Sequence, residues 1–349
     1  MSQKFRIGVS HDFYDEAREH TEAVISAKFA PHLHIECVPM PPHPDKFATA
    51  EVLGQFDAIF ALATKITAES LKGVDRLAVV ARWGVGYDRI DTNALTDAGV
   101  ALCITPNAVK RPVAEAILTF IMALSKNILI QDRVTRAGGW RGNLPRLGVN
   151  IAGATLASVG CGNIAQEMFR LCRGLGFGRY IAADPFVAQE QVNDLGVEIV
   201  DLDTVFREAD YVAVNTLLNP STRGLVRERH FRMMKPTAFF INTARGPIVE
   251  HEALAKALRE NWIAGAGIDV FPVEPPPKND PLFELDNVIV APHALAWTNE
   301  LMRNNGYEAS DNVLAIARGD VPGGVVNRAV LENPTFLAKL AKYRYNQAQ

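Results

Sequence analysis

Leu156-Ala157-Ser158-Val159-Gly160-Cys161-Gly162-Asn163-Ile164-Ala165 and, further on, Tyr180-Ile181-Ala182-Ala183-Asp184 decide how this chain is read. An apolar strand enters a glycine turn, a helix opens behind it, and an acidic residue closes the next strand about 20 positions on. This is a G-x-G-x-x-A dinucleotide-binding fingerprint in its strand–turn–helix setting. Gly160 makes the tight turn, Gly162 lets the backbone approach a pyrophosphate, and Ala165 is small enough for the helix to pack on the strand. The phosphates then sit at the positive N-terminus of the helix. Asp184 accepts hydrogen bonds from ribose hydroxyls and repels a 2′-phosphate, so the expected cofactor is NAD and not NADP.

The rest of the composition fits a two-domain enzyme. A chain of 349 residues exceeds the usual size of one hydrophobic core. A net charge of −3 and a pI near 6.3 leave no basic footprint for nucleic acid. No apolar run reaches the ~18 residues of a membrane span. Met1 to Ile7 leads straight into a strand pattern without the apolar core of a signal peptide, so no membrane partner and a cytoplasmic location are expected. Cys37, Cys103, Cys161 and Cys172 lack metal-ligand spacing and read as reduced thiols, with no metal site. Cys161, inside the glycine turn, reads as a small filler.

Strand and helix patterns alternate, which predicts parallel α/β layers. Strands are expected at 5–10, 33–38, 57–62 and 77–81, then at 154–159, 179–183, 211–215, 237–242, 264–268 and 287–291. Residues 112–130 read as one long apolar helix with Pro112 at its first turn, followed by an extended arm over 136–150. A helix at 299–318 and a short strand at Val325-Val326-Asn327 close the chain. The fingerprint begins only after ~150 residues, yet chain remains beyond its last strand. The expected fold is therefore two Rossmann-like, doubly wound parallel-sheet domains with a cleft between them. A flavodoxin-like substrate domain takes 1–106 plus 299–349, and an NAD-binding domain over 107–298 is inserted into it. The apolar helix and arm predict a homodimer formed through the NAD-binding domains.

Three residues at strand ends carry the expected chemistry. Arg245 follows the strand ending at Asn242, Glu274 follows Ile268-Asp269-Val270, and His293 follows Val288-Ile289-Val290-Ala291-Pro292. An arginine fork suits bidentate binding of a carboxylate, and a histidine beside a glutamate is a proton shuttle. Together they fit hydride exchange at a carbon next to a carboxylate, in a small 2-hydroxy or 2-keto acid.

With these motifs in order, the chain resembles the D-isomer-specific 2-hydroxyacid dehydrogenase family, which includes phosphoglycerate dehydrogenases, glyoxylate and hydroxypyruvate reductases and D-lactate dehydrogenases. The resemblance runs from about Thr64 to Asn327. It is carried by Arg82-Trp83-Gly84-Val85-Gly86-Tyr87-Asp88-Arg89-Ile90-Asp91, Thr105-Pro106-Asn107 with Val113-Ala114-Glu115, the fingerprint, Asn242-Thr243-Ala244-Arg245-Gly246, Asp269-Val270 with Glu274-Pro275, and Ala291-Pro292-His293. It implies carboxylate binding by Arg245, acid/base work by His293 and support of the histidine by Glu274. It places the substrate at Trp83, Gly84, Val85 and Gly86, with Val85 also near the nicotinamide. It assigns cofactor contacts to Asn163, Ile164, Asp184, Asn215, Thr216, Thr243, Ala244, Asp269 and Ala296, beside Gly160 and Gly162.

Departures from the family pattern leave the substrate open. Asn215-Thr216-Leu217 stands where the family often has His-x-Pro, and Ala294-Leu295-Ala296-Trp297 replaces a glycine-containing run. Trp297 reads either as narrowing the pocket or as packing between domains. Lys110 and Arg111 read as solvated surface charge in preference to a site for a second acidic group. Formate dehydrogenase chemistry is set aside because it has a glutamine where this chain has Glu274. The alternative of another class is an NAD(H)-sensing scaffold resembling the C-terminal-binding corepressors, which carry long tails beyond the shared fold.

Overall fold

A computed structural model describes residues 4–347; the first three and last two residues of the expected substrate domain lie outside the described residues. The chain forms two compact units, one of residues 1–109 with 297–349 and one of residues 110–296. Each is built on a parallel sheet.

In the first unit the strands are β1 (Phe5–Val9), β2 (Ile35–Pro39), β3 (Ala58–Ala61), β4 (Val79–Arg82) and β5 (Ala101–Cys103), in the spatial order β2-β1-β3-β4-β5. Every neighbouring pair is parallel. Such strands are covered on both faces, which is why Ala58-Ile59-Phe60-Ala61 is apolar throughout and wholly buried. One face carries the helix Asn299–Ala317, which starts at Thr298, whose hydroxyl accepts from the Leu301 amide. The helix comes close because residue 306 is glycine: a Cβ there would lie 2.6 Å from a Val24 methyl and 2.7 Å from the Trp83 ring.

The second unit contains β6 (Thr155–Val159), β7 (Arg179–Ala183), β8 (Val197–Ile199), β9 (Tyr211–Val214), β10 (Phe239–Asn242), β11 (Gly265–Ile268) and β12 (Val288–Val290). Their order, β12-β11-β10-β9-β6-β7-β8, is that of a doubly wound nucleotide-binding sheet extended by one strand. The order reverses between β6 and β9, so the loops after β6, β7 and β9 meet at the switch point where ligands of such sheets bind.

The single helix expected over 112–130 is two. The helix Pro106–Ser125 begins six residues before Pro112 and contains it, and the helix Ile128–Arg136 leaves at 55°. The break is Asn127, in the left-handed conformation at φ 51°, which asparagine tolerates better than most residues. Apolar residues continue across the break, so periodicity alone hides it. The first helix buries Ala114, Ile117, Phe120, Ile121 and Leu124, and Gly267 of β11 accommodates Phe120; the second helix buries no residue. No single helix among the described residues is long and apolar enough to cross a membrane. The expected strand at Val325 is one antiparallel bridge to Cys103, because Asn327 takes over the edge: its side chain accepts from Leu102 N and donates to Val100 O. Cys161 is buried, and burial with the nearby Asp184 charge pushes its thiol up to about 11, consistent with a filler.

Candidate active site

At the end of β6, Gly160 has φ +94°, and a Cβ on it would sit 2.8 Å from the Asn215 carbonyl oxygen. The turn is fixed by donation from Gly160 N to Ala183 O (2.8 Å), from Ser158 Oγ to Gly160 O (2.6 Å) and from Asn215 Nδ2 to Ser158 Oγ (2.9 Å). The Asn215 side chain is thereby committed to the turn, with Thr216 following it. Gly162 is the N-cap of the helix Asn163–Cys172 and supplies no side-chain cap, and a Cβ there would have nothing within 4 Å. The amides of Asn163 and Ile164 therefore open onto free space at the positive helix end.

Asp184 lies just past β7. Its Oδ2 accepts from Cys161 N (2.8 Å) and its Oδ1 from Phe186 N (2.9 Å), so the carboxylate is oriented and each oxygen keeps a free lone pair. The Thr243 hydroxyl is buried without a hydrogen-bond partner among the described residues. An uncapped helix N-terminus, a fixed carboxylate at the next strand end and an orphan hydroxyl fit the pyrophosphate, ribose and polar groups of NAD.

The three side chains expected to carry the chemistry, Arg245, Glu274 and His293, follow three adjacent strands. Asn242 of β10 is paired level with Ile268 of β11, and Ile268 with Val290 of β12, so the loops beyond start from one line. Asn242 shapes the first loop: its Oδ1 accepts from Ala244 N (3.0 Å) and its Nδ2 donates to Arg245 O (3.1 Å). Arg245 Nη1 donates to Ala244 O (2.7 Å). Gly246 is pressed onto the second loop so closely that a Cβ would lie 2.0 Å from the Phe271 carbonyl carbon. Glu274 turns back, its Oε1 accepting from Phe271 N (3.0 Å), and His293 Nδ1 donates to its Oε2 (2.8 Å). His293 holds φ +56°, a strained value for a non-glycine residue. The residues after it are anchored by buried Asp269, whose Oδ1 accepts from Ala294 N (3.1 Å) and Leu295 N (3.3 Å). Ala296 follows, half-buried.

Burial pushes the Glu274 carboxyl up, but the hydrogen bond and charge of His293, the Phe271 amide and the nearby Arg245 outweigh it and leave its pKa lowered. Glu274 is thus held as the carboxylate. Burial dominates at Asp269 and raises its pKa, against the two backbone amides. With Nδ1 of His293 tied to Glu274, Nε2 is the nitrogen left for a reacting oxygen.

In the first unit, Gly84 follows β4 with φ +125° and its amide donates to Thr105 Oγ1 (2.7 Å). Thr105 in turn donates to buried Asn305 (2.7 Å). This support was not foreseen; its one trace in the sequence is the Thr105-Pro106-Asn107 motif. Val85 and Gly86 are partly exposed beyond it. Trp83, expected at the substrate, has its indole in the core, 1% exposed, with ring centroids 4.6 Å from Phe13 and 5.8 Å from Phe60. Its side chain is a packing element. Trp297 is exposed, and Arg111 pairs with Glu115 (2.6 Å) and Glu167 (3.5 Å), as a surface charge would.

Residues 118–294 match the family described as D-isomer specific 2-hydroxyacid dehydrogenase, NAD binding domain. The chain is similar to a glyoxylate reductase of Korarchaeum cryptofilum, 36% identical over 293 residues that make up 83% of this chain and 88% of the relative. A glyoxylate reductase of Thermococcus litoralis is 34% identical over 298 residues, 83% of this chain and 89% of its own. Among solved structures, a glyoxylate reductase from Paecilomyes thermophila superimposes with a TM-score of 0.77 at 25% identity, covering 90% of this chain and 95% of that one.

The open space at Gly162 gives a test of the cofactor end. Gly162→Ala should leave the melting temperature unchanged, since the methyl meets no protein atom. It should weaken NADH binding by at least ~10-fold, about 1.4 kcal/mol, because the methyl takes space needed by the pyrophosphate. Fluorescence titration with NADH reads this directly, and an unchanged Kd would remove the pyrophosphate from this turn.

Proposed function

Because the chain belongs to the D-isomer-specific 2-hydroxyacid dehydrogenase family, and so carries out NAD-dependent hydroxyacid oxidoreduction, we propose that its reaction is the reversible reduction of a small 2-keto acid to the D-2-hydroxy acid, with Arg245, Glu274 and His293 as the working side chains. Bound NADH supplies the hydride that arrives at C2. Arg245 takes the substrate carboxylate in its guanidinium fork and draws electron density from the keto oxygen. The backbone amides of Val85 and Gly86 are assigned to the same carboxylate, as the family resemblance implies.

As the oxygen at C2 gains negative charge, His293 gives it a proton from Nε2. Glu274 holds the ring by Nδ1 and offsets the positive charge the ring carries before the transfer. In the direction of oxidation His293 takes the hydroxyl proton back. The observation that carries the reading is the 2.8 Å bond between His293 Nδ1 and Glu274 Oε2, at strand ends shared with Arg245. The glyoxylate reductases among its relatives make glyoxylate the first acid to try. Steady-state assays with NADH and a panel of 2-keto acids decide between this enzyme and a protein that only senses NAD(H): binding of NADH without turnover of any of them would overturn it.

The cofactor preference follows from Asp184, since no arginine stands in Pro185-Phe186-Val187 to receive a 2′-phosphate. NADH should exceed NADPH by at least ~10-fold in kcat/KM, about 1.4 kcal/mol. Equal use of both would show that Asp184 does not face the ribose.

Substitutions at the two working residues should fail differently. Arg245→Lys keeps the charge and loses the fork, so KM for the keto acid should rise steeply with a smaller fall in kcat. His293→Gln removes the proton shuttle, and kcat should fall by roughly 10²–10⁴. A common effect on KM alone would contradict the division of labour.

Glu274 sets the pH dependence. Its lowered pKa means that the carboxylate, and with it the pairing to His293, is present at neutral pH and is lost only as pH falls through the folded value. Reduction consumes the protonated ring, so activity declines as pH rises. In Glu274→Gln the protonated ring lacks its partner, and the pH of half-maximal reduction should move down. A midpoint that stays or moves up would separate Glu274 from the proton transfer.

We also propose a cytoplasmic homodimer. The cysteines are unpaired thiols, and the helix Ile128–Arg136 with the arm behind it leaves Ile128, Leu129, Trp140 and Leu147 exposed, Leu147 at 83%. Light scattering should give twice the chain mass of 38.2 kDa at micromolar concentration. Leu129→Asp with Leu147→Asp should shift it toward the monomer, and a wild-type chain that runs as a monomer would refute the assembly.

A further inference from the structure

The helix Asn299–Ala317 turns two neighbouring faces to the rest of the first unit. One is apolar and close, where Gly306 meets Val24 and Trp83. The other is polar. Asn305, Glu308 and Asn312 are spaced by three and four residues, so they stand on one side of the helix. All three hold the same short stretch, residues 104–108, which leaves β5 and opens the helix Pro106–Ser125. Asn305 Oδ1 accepts from Thr105 Oγ1 (2.7 Å). Glu308 accepts from Ala108 N (2.9 Å) and Asn107 Nδ2 (3.1 Å), answering an amide that the helix start leaves unpaired. Asn312 Oδ1 accepts from Gly324 N (3.2 Å), and Gly324 O accepts from Ile104 N (3.0 Å).

The contact at Asn305 passes on to the turn after β4. Thr105 is fully buried and bonded to Gly84 twice: its hydroxyl accepts from Gly84 N (2.7 Å), and its own amide donates to Gly84 O (3.1 Å). A hydroxyl has one proton to give and two lone pairs. With the proton given to Asn305 Oδ1, the oxygen presents a lone pair to Gly84, and the Gly84 amide is consumed inside the protein. Arg82 lies against the same glycine, since a Cβ there would sit 2.0 Å from its Nη1.

The next two amides are different. Val85 N and Gly86 N donate to no group among the described residues, and both residues are partly exposed. Two consecutive free amides beside a locked one form a small anion cradle, whose direction is set by the locked one. If the lock is removed, Gly84 N is a buried donor without an acceptor. The turn then gains by rotating to satisfy it, and the two amides beyond move with it.

We propose that Asn305 and Thr105 are positioning residues for substrate binding: through the Gly84 amide they aim the Val85 and Gly86 amides and so set the affinity for the carboxylate of the 2-keto or 2-hydroxy acid. The proposal rests on the dehydrogenase reading above for the identity of the ligand. Both side chains are buried, and neither has a part in the proton transfer.

The test separates KM from kcat in 2-keto acid reduction with NADH. Thr105→Val keeps the shape of the side chain and loses the hydroxyl. KM for the keto acid should rise at least ~10-fold, with kcat within ~3-fold of wild type and the Kd for NADH unchanged. Thr105→Ser restores the hydroxyl, and KM should return to within ~3-fold of wild type. Asn305→Leu should raise KM in the same direction. Added to Thr105→Val it should raise KM no further, because Asn305 acts through the hydroxyl. Should Thr105→Val not fold, Asn305→Leu carries the same comparison. A general loosening of the fold would instead lower kcat and NADH affinity together.

An unchanged KM in Thr105→Val, or a fall in kcat and NADH affinity alongside it, would overturn the proposal and leave the dehydrogenase reading intact. If the wild-type chain turns over no keto acid, that reading fails first. Binding of oxamate, an unreactive analogue with the same carboxylate, to the NADH complex then decides. A Kd raised at least ~10-fold in Thr105→Val supports the positioning role, and absent binding or an unchanged Kd removes it.

Discussion

The hydrogen bond from His293 to Glu274 is the contact on which the site depends, and three adjacent strands exist in a form that makes it. Because β10, β11 and β12 end level, their loops compete for one small space. Gly246 resolves the competition by letting the first loop lie on the Phe271 carbonyl, which any side chain would block. Phe271 then turns its amide to Glu274, and Glu274 meets His293. Sequence, packing and chemistry form one chain of cause here: a missing Cβ sets a loop height, and the loop height sets a hydrogen bond.

Strain is concentrated at His293, the residue proposed to move the proton. A left-handed backbone at His293 costs on the order of 1–3 kcal/mol for a non-glycine residue. It persists because the chain is held on both sides, by the β11–β12 pairing before it and by Asp269 on the two amides after it. The same device appears in the first unit, where Gly84 is set by Thr105 and Thr105 by Asn305. In both places a buried polar side chain decides where a backbone segment faces.

Much of this was legible in the sequence, for physical reasons. Buried parallel strands are continuous apolar runs, and the glycine turn with Asp184 has one use that needs all its parts, so the two parallel sheets and the cofactor turn could be read directly. The placement of Arg245, Glu274 and His293 after such runs followed from the same periodicity. Other features left no local signal. β5 and β8, three residues each, were not expected, although β12 is equally short and was. The break at Asn127 is one residue inside an apolar stretch. The family resemblance placed Trp83 at the substrate, but Phe13, Phe60 and the glycine at 306 come from distant segments to bury its indole. Long-range packing of that kind is invisible along the chain.

If Glu274 acts only through His293, the two residues form one device and their losses cannot add. A double-mutant cycle measures this. The kcat for 2-keto acid reduction is compared in His293→Gln, Glu274→Gln and the double variant at a fixed pH. The account predicts that Glu274→Gln lowers kcat in the wild-type background and changes it less than ~2-fold in the His293→Gln background. Multiplicative losses would contradict it, showing that the carboxylate reaches the substrate by a route of its own.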